Sequence, residues 1–246
     1  DIVFDHVSFS YDGSGEVLHD LSFTVPAGTT LGILGGTGSG KTTLMQLLDK
    51  LYDLPEGQGN ITVGGANLRD VNTEYLRRNI GMVLQEPFLF SRTIAENIAI
   101  HDETLGMERI RDAARAACLD ETVMGFARGY DTMVGERGLS LSGGQKQRTA
   151  IARTLSQDVP ILVFDDSLSA VDTETDAKIR SALEARFGRA TVILISHRIT
   201  TLSRADNILV LDHGRILEQG SHEDLKRAGG LYQQICEIQS GAEAVA

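Results

Sequence analysis

The chain has 246 residues, room for one large α/β domain or for one core carrying a helical insertion. Hydrophobic residues make up 41% and charged residues 23%, the balance of a folded domain with a sizeable core, which excludes general disorder. The formal charge of −11 excludes a general nucleic-acid backbone binder, which needs a basic face, but not a triphosphate held locally by a few amides, one Lys and Mg2+.

Along the chain, Ile2–Phe9 and Val17–Val25 alternate apolar and polar residues around Asp12-Gly13-Ser14-Gly15, predicting an antiparallel hairpin with a loose turn. Thr30–Leu34 reads as a short buried strand, followed by a glycine-rich turn and a helix over about Lys41–Leu51. Gln58–Val63 and Ile80–Leu84 are further strands. Residues 104–127 carry Ile110, Ala113, Ala114 and Ala117 at helical spacing, so a helical segment is interposed. A helix is expected from Gly143 to about Gln157, then a strand at Ile161–Phe164, a helix at Thr173–Arg186 and a strand at Ala190–Ile195. Strands at Asn207–Leu211 and Arg215–Glu218 and short helices at Glu223–Arg227 and Leu231–Gln239 close the chain, leaving Gly241–Ala246 as an unstructured tail. Short apolar strands alternating with helices indicate an α/β fold with a mainly parallel sheet covered on both faces.

Gly35-Gly36-Thr37-Gly38-Ser39-Gly40-Lys41-Thr42 fits G-x-x-x-x-G-K-[ST] residue for residue, after a predicted strand and at the head of a predicted helix. The glycines let backbone N–H groups converge on phosphate oxygens, and the helix start adds positive dipole. In that pattern Lys41 reaches the β- and γ-phosphates, Thr42 offers its hydroxyl to Mg2+, and Thr43 belongs to the same nucleotide-binding run. A chance glycine turn would lack the strand before it and the helix after it. Ile161–Asp165 is a buried strand ending in a carboxylate. Beside such a loop Asp165 is expected to hold Mg2+ rather than merely to cap the next helix. The chain therefore reads as a P-loop NTPase.

Leu141-Ser142-Gly143-Gly144-Gln145, just before the helix leading to the Asp165 strand, resembles the signature of ABC ATPases. Alone it reads equally as a glycine-rich helix start capped by Ser142. The other markers of that family follow in order. Tyr11 matches the aromatic residue that stacks on adenine, and Gln85 the residue that senses Mg2+ and water. Ser169-Ala170-Val171-Asp172 matches the loop that touches the opposite subunit, and His197 the switch histidine at the γ-phosphate. The resemblance covers about residues 1–240. It implies a P-loop NTPase core with an antiparallel β subdomain at the N-terminus and an inserted α-helical subdomain, the latter with the signature in about 86–157. It also implies ATP sandwiched between two cassettes, with Ser142, Gly143, Gly144 and Gln145 acting in trans on the partner's nucleotide. Gln85–Ser91 and Thr132–Gly138 resemble the segments with which exporter cassettes meet a fused transmembrane domain, which implies a place on the cytoplasmic face of the membrane.

One position departs from the family. Asp166 follows Asp165 where the general base is usually Glu. Its carboxylate has a similar intrinsic pKa but a reach shorter by one methylene, and misplacement by roughly 1 Å can cost on the order of a hundredfold in rate. With the signature intact, the resemblance suggests a slow site in a heterodimeric exporter; a homodimer tolerating Asp and a free-standing importer subunit stay open. A nucleic-acid-handling ABC ATPase is opposed by the charge of −11, and a kinase or GTPase by Leu141–Gln145 and His197. Cys118 and Cys236, far apart and without metal-ligand spacing, are expected to be free thiols in a reducing compartment. Ile161–Phe164, Val192–Ile195 and Ile208–Leu211 are far shorter than the ~20 apolar residues of a spanning helix. The start at Asp1, running straight into strand alternation without a signal peptide, gives the expectation of an excised domain.

Overall fold

The computed structural model describes residues 1–12, 15–135, 140–167, 173–187 and 190–243. In chain order the elements are β1 (Ile2–Ser10), β2 (Glu16–Val25), β3 (Thr30–Gly35), α1 (Lys41–Leu48), β4 (Asn60–Val63), β5 (Ala66–Asn67), α2 (Thr73–Arg78), β6 (Ile80–Val83), α3 (Ile94–Ile98), α4 (Met107–Ala116) and α5 (Asp120–Met124). A 3-10 turn at Gly129–Asp131 precedes α6 (Gly143–Leu155), β7 (Ile161–Asp165), α7 (Thr173–Phe187), β8 (Thr191–Ile195), α8 (Ile199–Leu202), β9 (Asn207–Asp212), β10 (Arg215–Gly220), α9 (His222–Arg227) and α10 (Leu231–Glu243). They form two compact units, Asp1–Ile80 with Arg189–Ala246, and Gly81–Gly188.

The first unit contains an antiparallel sheet in the order β2-β1-β4-β5 and the strand run β10-β9-β3-β8. Ile2, Phe4, Val7 and Phe9 of β1 are buried and lie opposite Val25, Phe23, Leu21 and Leu18 of β2. The step from Phe4 to Val7 breaks strict alternation, and a bulge absorbs it. His6 and Asp20 take positive φ of 50° and 51° there, and their side chains meet at 2.6 Å. Phe4 and Phe23 stack with centroids 4.6 Å apart. β3 pairs in parallel with β8 and β9, and its Leu31, Ile33 and Leu34 are buried, the continuous apolar run of a strand covered on both faces.

In the second unit β6 and β7 are neighbours, and α6 packs on α3 and α4. The buried residues of α6 include Gln147, Ala150, Ile151, Thr154 and Leu155. Arg111 grips Asp120 with two bonds of 3.1 Å, and Tyr130 donates to the same carboxylate at 2.6 Å. The Arg111 bonds hold the Asp120 carboxyl below its ordinary range.

Several boundaries differ from the sequence reading for local reasons. α1 stops at Leu48 instead of Leu51, because the amides of Leu51 and Tyr52 turn back onto the Gln46 carbonyl. The 104–127 segment is two helices, broken after Ala116 where Cys118 takes a φ of 53°. Short α2 and α3 were not expected. Asn72 caps α2, and a reciprocal Thr93–Glu96 capping box starts α3. α10 runs to Glu243, into the segment expected to be an unstructured tail. Neither Cys118 nor Cys236 is in a disulfide. Among the described residues no helix is long and apolar enough to cross a membrane.

Candidate functional site

Residues 35–43 make the turn from β3 into α1. Gly40 caps that helix at φ 99° with no side-chain cap hydrogen bond, so no capping side chain covers the helix start. Gly35 is needed for space, since a Cβ there would stand 2.5 Å from Ser39 Oγ. At Gly36 and Gly38 a Cβ would meet nothing within 4 Å, so that side of the loop is open. Lys41 Nζ donates to the carbonyls of Gly35 and Gly36 at 2.8 and 2.6 Å and to Ser39 Oγ at 3.1 Å, folding its charge over its own loop. The turn between β9 and β10 braces the loop: Gly214 N donates to Ser39 O at 3.1 Å, and Gly214 O accepts from His19 N at 2.9 Å.

Parallel pairing carries His197 to the same sheet edge. Ile195 of β8 lies opposite Ile33 of β3, so the strands release the phosphate-type loop and the His197 turn side by side, at the strand ends where open α/β sheets bind ligands. The Gln239 amide on α10 clamps that turn, donating to His197 O at 2.7 Å and accepting from Ile199 N at 2.8 Å. Tyr11, just past β1, reaches α1 with its hydroxyl. Thr42 is exposed at the head of α1, and Thr43 is buried.

The remaining expected residues belong to the second unit. Gln85 is exposed, next to Leu84, whose carbonyl accepts from the buried Gln147 at 3.2 Å. Ser142 caps α6 through a reciprocal box, with Ser142 N to Gln145 Oε1 at 2.9 Å and Gln145 N to Ser142 Oγ at 3.3 Å. Asp165 ends β7, and Asp166 follows in the left-handed region at φ 43°, a conformation that Asp tolerates. Ser169–Asp172 and Glu136–Gly138 lie outside the described residues.

Phe88 and Phe90 are exposed and meet edge to face at 5.0 Å. Beneath them sits fully buried Asn97, which accepts from Phe90 N and donates to Phe90 O, both at 2.9 Å. Arg153 of α6 donates to Phe88 O at 2.9 Å, to Asn97 O at 2.8 Å and to Asn97 Oδ1 at 3.0 Å. Burial lowers the Arg153 pKa to about 10, which still leaves it charged at neutral pH.

Residues 18–169 match the ABC transporter family. The chain belongs to the ABC transporter family. It corresponds to that family's ATP-binding domain. It is 45% identical over 240 residues to an ATP-dependent lipid A-core flippase of Haemophilus ducreyi, covering 97% of this chain and 41% of the flippase. It is 44% identical over 243 residues to an ATM1-type heavy metal exporter of Novosphingobium aromaticivorans, covering 99% of this chain and 40% of the exporter. A solved structure of a bacterial Atm1-family ABC exporter with ATP bound superposes with TM-score 0.93 at 44% identity, over 97% of this chain and 42% of that one. The chain thus spans about two fifths of the length of these relatives.

The supports of this ABC domain escaped the motif reading. Gln46, Gln147, Arg153, Gly214 and Gln239 act through side-chain or turn contacts between residues distant in sequence, so no local pattern marks them. Asn97 carried a partial signal, lying in a stretch opened by the Thr93–Glu96 capping pair.

Proposed function

We propose that this ABC ATPase domain powers substrate export by a membrane-spanning domain of the same transporter, working at the cytoplasmic face of the membrane as a head-to-tail pair with a second nucleotide-binding domain. The observation that carries the reading is the uncapped head of α1 behind an open glycine turn, which leaves backbone donors for a triphosphate. The full-length relatives, named as flippase and heavy metal exporter, support the exporter class. No nucleic-acid partner enters this reading.

In it, the amides of residues 35–43 bind the phosphates, and Lys41 exchanges its loop carbonyls for β- and γ-oxygens. Tyr11 supports the adenine. Ser142, Gly143, Gly144 and Gln145 face the nucleotide of the other domain. The capping box is compatible with this, because a hydroxyl that accepts from Gln145 N keeps its proton to donate to a phosphate. His197 contacts the γ-phosphate. Thr42, Gln85 and Asp165 would hold Mg2+ as the resemblance implies, each offering an oxygen donor of the hard kind that suits the ion. When bound, Mg2+ neutralises charge on the β- and γ-oxygens. Asp166 takes the proton of the attacking water, from one methylene further back than a glutamate would. That shorter reach makes this a slow site, whose intact signature serves a faster site in a heterodimeric partner.

A cysteine-pair experiment tests the arrangement. With Thr37→Cys and Ser142→Cys on facing copies and ATP trapped under blocked hydrolysis, a crosslink between chains is expected with ATP and is absent without it. No ATP-dependent crosslink in homo- or heteropairs removes the reading; formation in homopairs alone replaces the heterodimer by a homodimer.

A further inference from the structure

The Tyr11 ring is fixed on two sides. Its hydroxyl donates to Gln46 Oε1 at 2.8 Å and pairs with Thr43 Oγ1 at 2.8 Å. Since the phenol has one proton, Thr43 donates in the second bond, giving a directional chain from Thr43 through Tyr11 to Gln46. On the apolar side Phe9 meets the ring edge-on at 5.1 Å and Tyr52 at 5.0 Å. Gln46 is the node of both sides, because its backbone carbonyl accepts from Leu51 N at 2.8 Å and Tyr52 N at 3.4 Å. One residue of α1 therefore holds Tyr11 by its side chain and carries Tyr52 by its backbone.

We infer that Gln46 is a positioning residue that sets the affinity of the nucleotide site by holding Tyr11 in register with α1. This rests on the reading of Tyr11 as the adenine platform. Thr43 and Gln46 belong to the helix whose head begins the phosphate cradle, so the base platform and the cradle move as one body. A platform anchored this way needs no ordering when ATP arrives, whereas a freely rotating tyrosine would lose side-chain entropy at that moment. The effect falls on binding of the base and leaves phosphate binding alone.

The test compares affinities for ATP, GTP and inorganic tripolyphosphate, which has no base, in the intact protein and in Gln46→Leu, Gln46→Glu, Tyr11→Phe, Tyr11→Phe with Gln46→Leu, and Tyr11→Ala. Gln46→Leu and Tyr11→Phe are each expected to weaken ATP by roughly threefold to tenfold, the worth of one or two neutral hydrogen bonds, with tripolyphosphate unchanged. GTP should weaken together with ATP, KM for ATP should rise at constant kcat, and the double variant should be no weaker than the single ones. Gln46→Glu retains an acceptor oxygen and should keep the parental ratio of ATP to tripolyphosphate affinity. Unchanged ATP affinity in Gln46→Leu beside a large loss in Tyr11→Ala overturns the inference while sparing the platform. Equal losses for ATP and tripolyphosphate in Gln46→Leu overturn it as well, since the cradle itself would then have shifted. If Tyr11→Ala binds ATP like the parent, the platform and its anchor both fall.

Discussion

Two helices of this domain begin at glycine-rich turns, and their heads are finished in opposite ways. α1 starts at Gly40 with no side-chain cap, and Lys41 lies across the open loop. α6 starts at Ser142 with a complete capping box. The first head keeps its amides in reserve and is held from outside, by the Gly214 turn and the neighbouring strands. The second bonds its Ser142 and Gln145 amides through its own side chains and is held further down, by Gln147 on Leu84 and Arg153 on Phe88 and Asn97. The lesson is that a helix start without a side-chain cap can be held by tertiary braces on its backbone, while one bearing Ser and Gln is held in part by its own side chains.

The strongest way to break this contrast is at the open head. Lys41→Met removes the cation above the cradle and is expected to lower ATP turnover by on the order of a hundredfold to a thousandfold, as measured by phosphate release. Retained turnover would mean that the amides suffice alone. Asp166→Glu, beyond β7, should raise turnover of the assembled protein by on the order of tenfold to a hundredfold if reach limits the base. An unchanged or lower rate would remove the positional argument and with it the slow site.

The clamp below the second head gives a stability effect. Arg153→Met strips charged donors from the Phe88 and Asn97 oxygens and should destabilise the fold by about 2–3 kcal/mol in denaturant unfolding. A change within a few tenths of that unit would show the Phe88–Phe90 loop to be held by other contacts. The smallest expected effect is a pH dependence. Asp120 titrates below its ordinary range because Arg111 bonds its ionised form, so its stabilisation is present above the unfolded carboxyl pKa and is lost as pH falls through the lowered folded value. Arg111 is 36% exposed, which screens the pair and keeps the contribution small. Asp120→Asn should lower Tm slightly at neutral pH, and its gap to the parent should close on acidification. A gap that widens in acid would contradict the sign.

From residues alone came the parallel strands, the loop at 35–43 with its Lys41 and Thr42, the acid ending Ile161–Asp165 and the expectation of a second glycine turn at Ser142, because each is encoded by periodicity or spacing within a few neighbours. Even Ser142 as a cap was readable, from a Ser three residues ahead of Gln145. What no such pattern carries is the bracing. That Ser39 is tied to Gly214, the His197 turn to Gln239 and Tyr11 to Gln46 depends on which residues the strand order and helix packing bring together across long stretches of chain. A hydrogen bond between distant residues leaves no period in the sequence, so the motifs were legible early, and the bonds that brace them were decided only by the tertiary fold.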